Sequence, residues 1–219
     1  MQNRLLAGFV CVMFAVIGAT TSSPSATDPL PSALFYAQNA EGGDAVLGSL
    51  GDASAWADAA LGQTTATPPA WAAALRPGIR FAAKSYPRID IAPPNATLIL
   101  DTLIDNARRV IIRLTVPPGT TDLGVRVLGA PVLRTAIDAR VADTTRFRRH
   151  QSVWSWGIWG IPDSGSVLSL SVPVNAHFDL AMTARRPGLP ATAGVPPRPP
   201  EVVPSQTGDM SLVYRTVRF

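Results

Sequence analysis

Side chains able to do chemistry are few in this sequence. His150 and His177 are the only histidines and Cys11 is the only cysteine. No disulfide within the chain, cysteine-based zinc site or iron–sulfur cluster can be built from them. Metal or nucleophile chemistry would have to rest on the two histidines and on carboxylates. His177-Phe178-Asp179 has the His-x-Asp spacing of a zinc-ligand pair. On a strand these two side chains would share a face, with Cα atoms ~6–7 Å apart. A catalytic zinc takes three protein ligands, and a two-metal site needs a bridging carboxylate and another histidine. Only Glu201 and Asp209 remain downstream. Asp143 or Asp179 could serve as a third ligand beside His150 and His177, but Arg146, Arg148 and Arg149 crowd His150 and oppose a dication. With Phe178, Leu180 and Met182 alternating as core, His177 and Asp179 turn to solvent. No Gly-x-Ser-x-Gly elbow and no glycine-rich phosphate loop occurs. The expectation is a chain with no catalytic residues, no metal ligands and no cofactor.

The aromatic segment VWSWGIWGI supports two readings. In a strand Trp154, Trp156 and Ile158 share one face and Trp159 takes the other. An exposed tryptophan platform could stack on sugar rings or meet another domain. Burial inside a sandwich is the commoner use of such large side chains. Trp154, Trp156 and Trp159 are therefore the candidate ligand or interface surface, with the core as the alternative.

The elements that must position these groups follow from composition and pattern. Hydrophobic residues make up 47% of the chain and charged residues 16%, which excludes a chain disordered throughout. The net charge of +4 comes almost wholly from arginine, with Lys84 the only lysine. The arginines are scattered among strand-like segments, and one cluster, Arg146 to His150 around Phe147, is too small for a polyanion-binding face. Nucleic acid is not an expected partner. Residues 5–19 are uncharged and apolar, follow Arg4 and precede a Ser/Thr/Pro-rich stretch. This reads as a signal peptide or a membrane anchor over 1–21, and so as an extracytoplasmic protein, anchored in the membrane or secreted.

A Ser/Thr/Pro linker occupies 22–31. Residues 32–78 form a small β/α segment: strands over 32–39 and 45–50, then a short helix capped by Asp52 or Ser54 and closed by Gly62. The region 79–219 reads as an antiparallel β-sandwich. Strands at 96–105 and 108–116 flank a turn at Asn106, and Val110, Ile112, Leu114 and Val116 alternate with Arg109, Arg113 and Thr115. Further strands are expected at 123–127, 132–140, 153–161, 166–172, 177–183 and 211–219. A proline-rich crossing over 187–204 carries the chain along the outside. The fold expected is all-β, an antiparallel β-sandwich with a small N-terminal β/α segment, after an N-terminal hydrophobic helix.

Several stretches resemble one family: PSALFYAQNAEGGDAVLGSL, DASAWADAALG, VWSWGIWGIPDSGSVLSLSV, ARRPGLP and RPPEVVPSQTGDMSLVYRTVRF. Together they are similar to the C-terminal extracytoplasmic β-domain of membrane-bound metallopeptidase family 28 proteins, the endoplasmic-reticulum metallopeptidase-like group. The resemblance covers about residues 31–219. It implies a β-rich tail that follows a zinc peptidase domain and membrane helices, with the apolar N-terminus matching the last of those helices. The family's zinc ligands lie in the peptidase domain, and no residue here corresponds to them. The resemblance thus implies a non-catalytic accessory or interaction domain whose partner is a separately encoded membrane metallopeptidase domain. A carbohydrate- or peptidoglycan-binding sandwich using the Trp segment is the alternative.

The scarcity of ligands has a direct test. Purified protein dialysed against buffer is expected to hold well under one zinc per chain by elemental analysis. Stoichiometric zinc, with peptidase activity that His177→Ala abolishes, would return the chain to the enzymes.

Overall fold

The computed structural model of the chain describes residues 12–13, 24–50, 54–62, 67–73, 75, 81–142 and 153–219. The expected N-terminal helix, apart from Val12 and Met13, lies outside these residues, as do Asp52, Asp143 and the Arg146–His150 cluster. No helix among the described residues is long and apolar enough to cross a membrane.

Among the described residues the elements are β1 (Leu30–Asn39), β2 (Ala45–Leu50), α1 (Ala55–Leu61), α2 (Ala70–Ala73), β3 (Ala83–Tyr86), β4 (Asn95–Ile104), β5 (Ala107–Thr115), β6 (Asp122–Leu128), β7 (Arg134–Ile137), β8 (Arg140–Val141), β9 (Trp154–Trp159), β10 (Ser166–Pro173), β11 (Asp179–Pro187), a 3-10 turn (Ala191–Ala193), β12 (Val202–Pro204) and β13 (Met210–Arg218). They make two sheets, largely antiparallel. The larger runs β3-β2-β1-β13-β11-β6-β9, with β12 also paired to β1; the smaller runs β4-β5-β10-β7-β8. The fold is all-β and sandwich-like. β1, β2 and β3 extend the same large sheet that holds β6, β9, β11 and β13.

The sandwich core forms where period-2 alternation puts apolar residues on facing surfaces. Val110, Ile112 and Leu114 of β5 and Leu168, Leu170 and Val172 of β10 meet Leu123, Val125 and Val127 of β6, and Leu180 and Met182 of β11. The β4–β5 connection is a two-residue turn with Asp105 and Asn106 at φ 51° and 57°, the left-handed pair whose twist matches a hairpin. Gly165, at φ 81°, precedes β10 where a Cβ would collide with the Leu114 carbonyl.

In β1 residues 33–37 are buried without a gap, as residues 210–214 are in its neighbour β13. Leu34 and Tyr36 lie under α1 and the crossing segment, with Trp56, Leu61, Leu189 and Val195 around them. Phe35 and Ala37 face the other way, under Ala72 of α2, Trp71 and Phe81. A strand covered on both faces reads as a continuous apolar run. Ser54 supplies the α1 cap, its Oγ accepting the Ala57 N–H at 3.0 Å, and Gly62 closes that helix at φ 74°.

Two strand expectations are corrected. The single strand expected over 132–140 is broken by a turn at Asp138-Ala139, with φ 49° and 64°, giving β7 and β8. Asp138 is held there because its Oδ1 accepts the Val167 N–H at 2.7 Å. The strand expected from 177 begins at Asp179 and runs on to Pro187, so His177 precedes it.

The crossing is pinned by Arg198. Its Nη2 donates to both Asp209 carboxylate oxygens at 2.8 Å, and its Nη1 donates to the Ser32 carbonyl at 2.8 Å. Its guanidinium also sits 3.9 Å from the Trp56 ring centroid. Asp209 in turn accepts the Leu34 N–H at 2.9 Å. Charge-assisted, bidentate bonds of this kind are stronger than neutral ones, and removing one partner leaves the other unsatisfied. Arg198→Ala is expected to lower stability by about 2–3 kcal/mol, read as a reduced urea midpoint with an unchanged slope. A loss below about 0.5 kcal/mol, the scale of ordinary surface substitutions, would show that the crossing is held by packing alone.

Candidate functional site

His177 and Asp179 do not share a strand. His177 lies in the β10–β11 connection, and Asp179, the first residue of β11, pairs with Arg218 Nε at 3.2 Å across the β11–β13 ladder. Among the described residues no three His, Cys, Asp or Glu side chains are grouped so as to hold a metal ion.

The three tryptophans of β9 separate as strand geometry requires. Trp154, Trp156 and Ile158 stand opposite Val127, Val125 and Leu123 of β6, on the core face. Trp154 and Trp156 are half-buried and stack with ring centroids 6.3 Å apart and planes at 25°. They form the margin of the core. Trp159 points outward, is 70% exposed, and has the Arg185 guanidinium 5.8 Å from its ring centroid.

Trp159 stands just outside an open groove on the outer face of the large sheet, next to the lining residues Gly157, Asp122 and Arg185. One cross-strand row contains Trp159, Asp122, Arg185 and Leu212; the next contains Gly157, Gly124, Thr183 and Tyr214. The groove has a volume of about 260 Å³, and Leu75 closes it on the α2 side. The Asp122 carboxylate is nearly buried, the residue being 6% exposed. Its Oδ2 accepts from Thr121 Oγ1 at 3.2 Å and lies 3.4 Å from Arg185 Nε. That Nε is itself buried and makes no hydrogen bond.

The smaller sheet presents a different surface. β4 is its edge strand, and Leu98, Ile99, Leu100, Leu103 and Ile104 are 43–62% exposed. Leu98 stands opposite Ile112 and Asp101 opposite Val110, both on the core face, with two residues between them instead of one. The extra residue is a β-bulge, which bends the strand and interrupts its ladder. Asp101 is therefore directed inward at the margin of the core. There Arg108 grips it through two bonds, Nε to Oδ1 at 3.0 Å and Nη2 to Oδ2 at 2.6 Å. Arg108 Nη1 also donates to the Ala176 carbonyl at 2.6 Å. The outward face of the same sheet carries Arg109 and Arg134 on either side of Ser171, within a groove of about 660 Å³ reaching Ile104 and Val141.

Sequence reasoning found the Trp segment and overlooked both the β4 strip and the groove floor. The usable signals were the unbroken Leu98-Ile99-Leu100, which does not alternate, and the glycines Gly124 and Gly157 inside otherwise apolar strands.

The Asp101–Arg108 pair has a pH signature. The hydrogen bonds from Arg108 hold the Asp101 carboxyl below the usual range, and partial burial opposes them. A depressed carboxylate contributes stability that is present above its unfolded-state value and is lost as pH falls through the folded one. Asp101 is one-third exposed, which keeps this contribution small. An NMR titration is expected to give Asp101 a midpoint below that of a free aspartate, and Arg108→Met is expected to raise it. An unchanged midpoint in the variant would show that the bidentate bond is not formed in solution.

In comparisons with known proteins, no family model matches the chain and no curated protein matches it.

Proposed function

We propose that this chain is a non-catalytic, extracytoplasmic interaction domain, related to the C-terminal region of family 28 membrane metallopeptidases and paired with a separately encoded membrane metallopeptidase domain. The segment 1–21 would hold it to the membrane or direct its secretion. The observation that carries the reading is the β4 strip. Soluble domains seldom leave a long apolar edge bare, because it recruits other chains. Here the backbone edge is blunted by the bulge at Ile99 and by the inward charge of Asp101, both devices that hinder strand-to-strand growth. The apolar side chains remain open all the same. That combination suits a partner that packs on the side chains without adding a strand. The stretches similar to the family tail span β1, β2 and α1, then β9 and β10, the end of β11 and the segment from the crossing to β13, so the resemblance touches both sheets and leaves out β4.

The test is co-expression of the full chain with the peptidase and membrane-helix portion of a family 28 protein encoded beside it. The two are expected to co-purify. Paired substitutions Ile99→Lys and Leu103→Lys are expected to reduce recovery at least tenfold while leaving the melting temperature within about 2 °C, since both positions are exposed. Failure to co-purify, or recovery unaffected by the lysines, would overturn the proposal. Trp159 favours a second reading, a glycan ligand, through a surface that does not include β4.

A further inference from the structure

We infer that the outer groove of the large sheet, beside Trp159, is a binding site for a pyranose ring of a glycan. Its floor is formed by Gly124 and Gly157, which stand directly opposite each other on β6 and β9. Nothing in the fold asks for glycine at either position. Neither has a left-handed φ, and a Cβ built on either would meet no atom closer than 3.9 Å. Glycine inside a strand weakens it, and its usual justification is a bulge, a sharp bend or the close approach of another molecule. The Gly124–Gly157 pairing is regular on both sides, with Leu123 opposite Ile158 and Val125 opposite Trp156. That leaves close approach. The cleared floor thus needs an occupant, and the walls say which.

Trp159 offers one exposed aromatic face beside the floor, its Nε1 3.9 Å from the position of a Gly157 Cβ. Arg185, 5.8 Å from the ring centroid, steadies the indole from one side. The same guanidinium reaches Asp122, so an acceptor and a donor are held together at the groove wall, with the Thr183 hydroxyl along the floor. A pyranose has an apolar C–H face and a rim of hydroxyls that both donate and accept, which matches an aromatic face adjoining a mixed polar wall. At about 260 Å³ the groove is just smaller than ordinary small-molecule clefts, roughly 300–1,000 Å³. It suits a single ring at the end of, or within, an oligosaccharide.

The test uses the full chain with three probes: N-acetylglucosamine oligomers, neutral glucose oligomers, and an acidic peptide as the other class of occupant. Binding is followed by calorimetry and by protection of tryptophan fluorescence from iodide quenching. One of the two oligosaccharides is expected to bind with a dissociation constant of about 1 mM or tighter and to protect one exposed tryptophan. Trp159→Ala is expected to weaken binding at least tenfold. Gly124→Val should fill the floor, also weakening binding at least tenfold, while the melting temperature stays the same or rises because the strand gains a β-branched residue in open space. The Ile99→Lys/Leu103→Lys variant should bind sugar normally, which separates this site from the proposed docking strip. Binding by neither oligosaccharide, preference for the acidic peptide, or sugar affinity unchanged in Gly124→Val would each overturn the assignment. Gly124→Ala serves as the milder variant should valine disturb folding.

Discussion

Parallel pairing of β1 with β13 is the constraint on which the rest of this structure depends. Phe35 to Asn39 run alongside Met210 to Tyr214 in register, so the first described strand is locked against the last. Parallel neighbours cannot be joined by a tight turn and need a long crossover. Here the entire sandwich, from β2 to β12, is that crossover. Both faces of β1 are buried in consequence, and each face needs a lid: α1 and the proline-rich crossing on one side, α2 and Phe81 on the other. Arg198 is where these demands meet. It ties the crossing to the Ser32 carbonyl on β1, to Asp209 just before β13 and to Trp56 of α1.

The lids are unequal, and that inequality produces the candidate site. On the inner face, the smaller sheet covers β6, β9 and β11, while α1 and the crossing continue the cover over β1 and β2. On the outer face, α2 and Leu75 shield β1 and β13 and go no further. Among the described residues no helix packs on the strip of β11, β6 and β9 beyond them, although Ala181 and Asp122 on it are buried. Trp159 is exposed there, with Arg185 and Thr183 half-buried beside it. Asp122 in the same row is nevertheless almost buried, shielded by its own pairing with Arg185 and Thr121.

Where side-chain pattern alone decides structure, the sequence was informative. Alternation located β5, β6 and β10 to within a residue or two, the cap and stop of α1 are Ser54 and Gly62, and the division of Trp154 and Trp156 from Trp159 followed from the two-residue period. Apart from the β4–β5 hairpin signalled by Asn106, sheet neighbours were not legible, because period 2 states which way a side chain points and not which strand lies beside it. The merger of β1–β3 into the large sheet depends on that hidden information. β4 defeated pattern reading for another reason: the bulge at Ile99 shifts the phase, so Leu98 and Asp101 share a face although their spacing is odd. The β7–β8 turn was missed because Ala139 adopts a left-handed φ that its residue type does not announce. The groove floor was missed because a glycine pair becomes visible only after β6 and β9 are known to be neighbours.

The two surfaces can act independently, and the reason is geometric. β4 belongs to the smaller sheet, and its start is tied to β13 by Arg215, whose Nη1 donates to the Pro94 carbonyl at 3.2 Å and to Asn95 Oδ1 at 3.0 Å. The Trp159 groove lies on the face of the large sheet that is turned away from the smaller one. Stacked sheets are about 10 Å apart, and effects at sites separated by more than about 7–10 Å without shared partners usually add. The groups involved share no partner: Asp101 is held by Arg108 and Asp122 by Arg185 and Thr121. Occupation of the groove would therefore leave the β4 strip free. A domain built this way can be fixed to one macromolecule through its smaller sheet while its larger sheet samples another ligand. The buried core of Val125, Val127, Leu168 and Leu170 lies between the two surfaces.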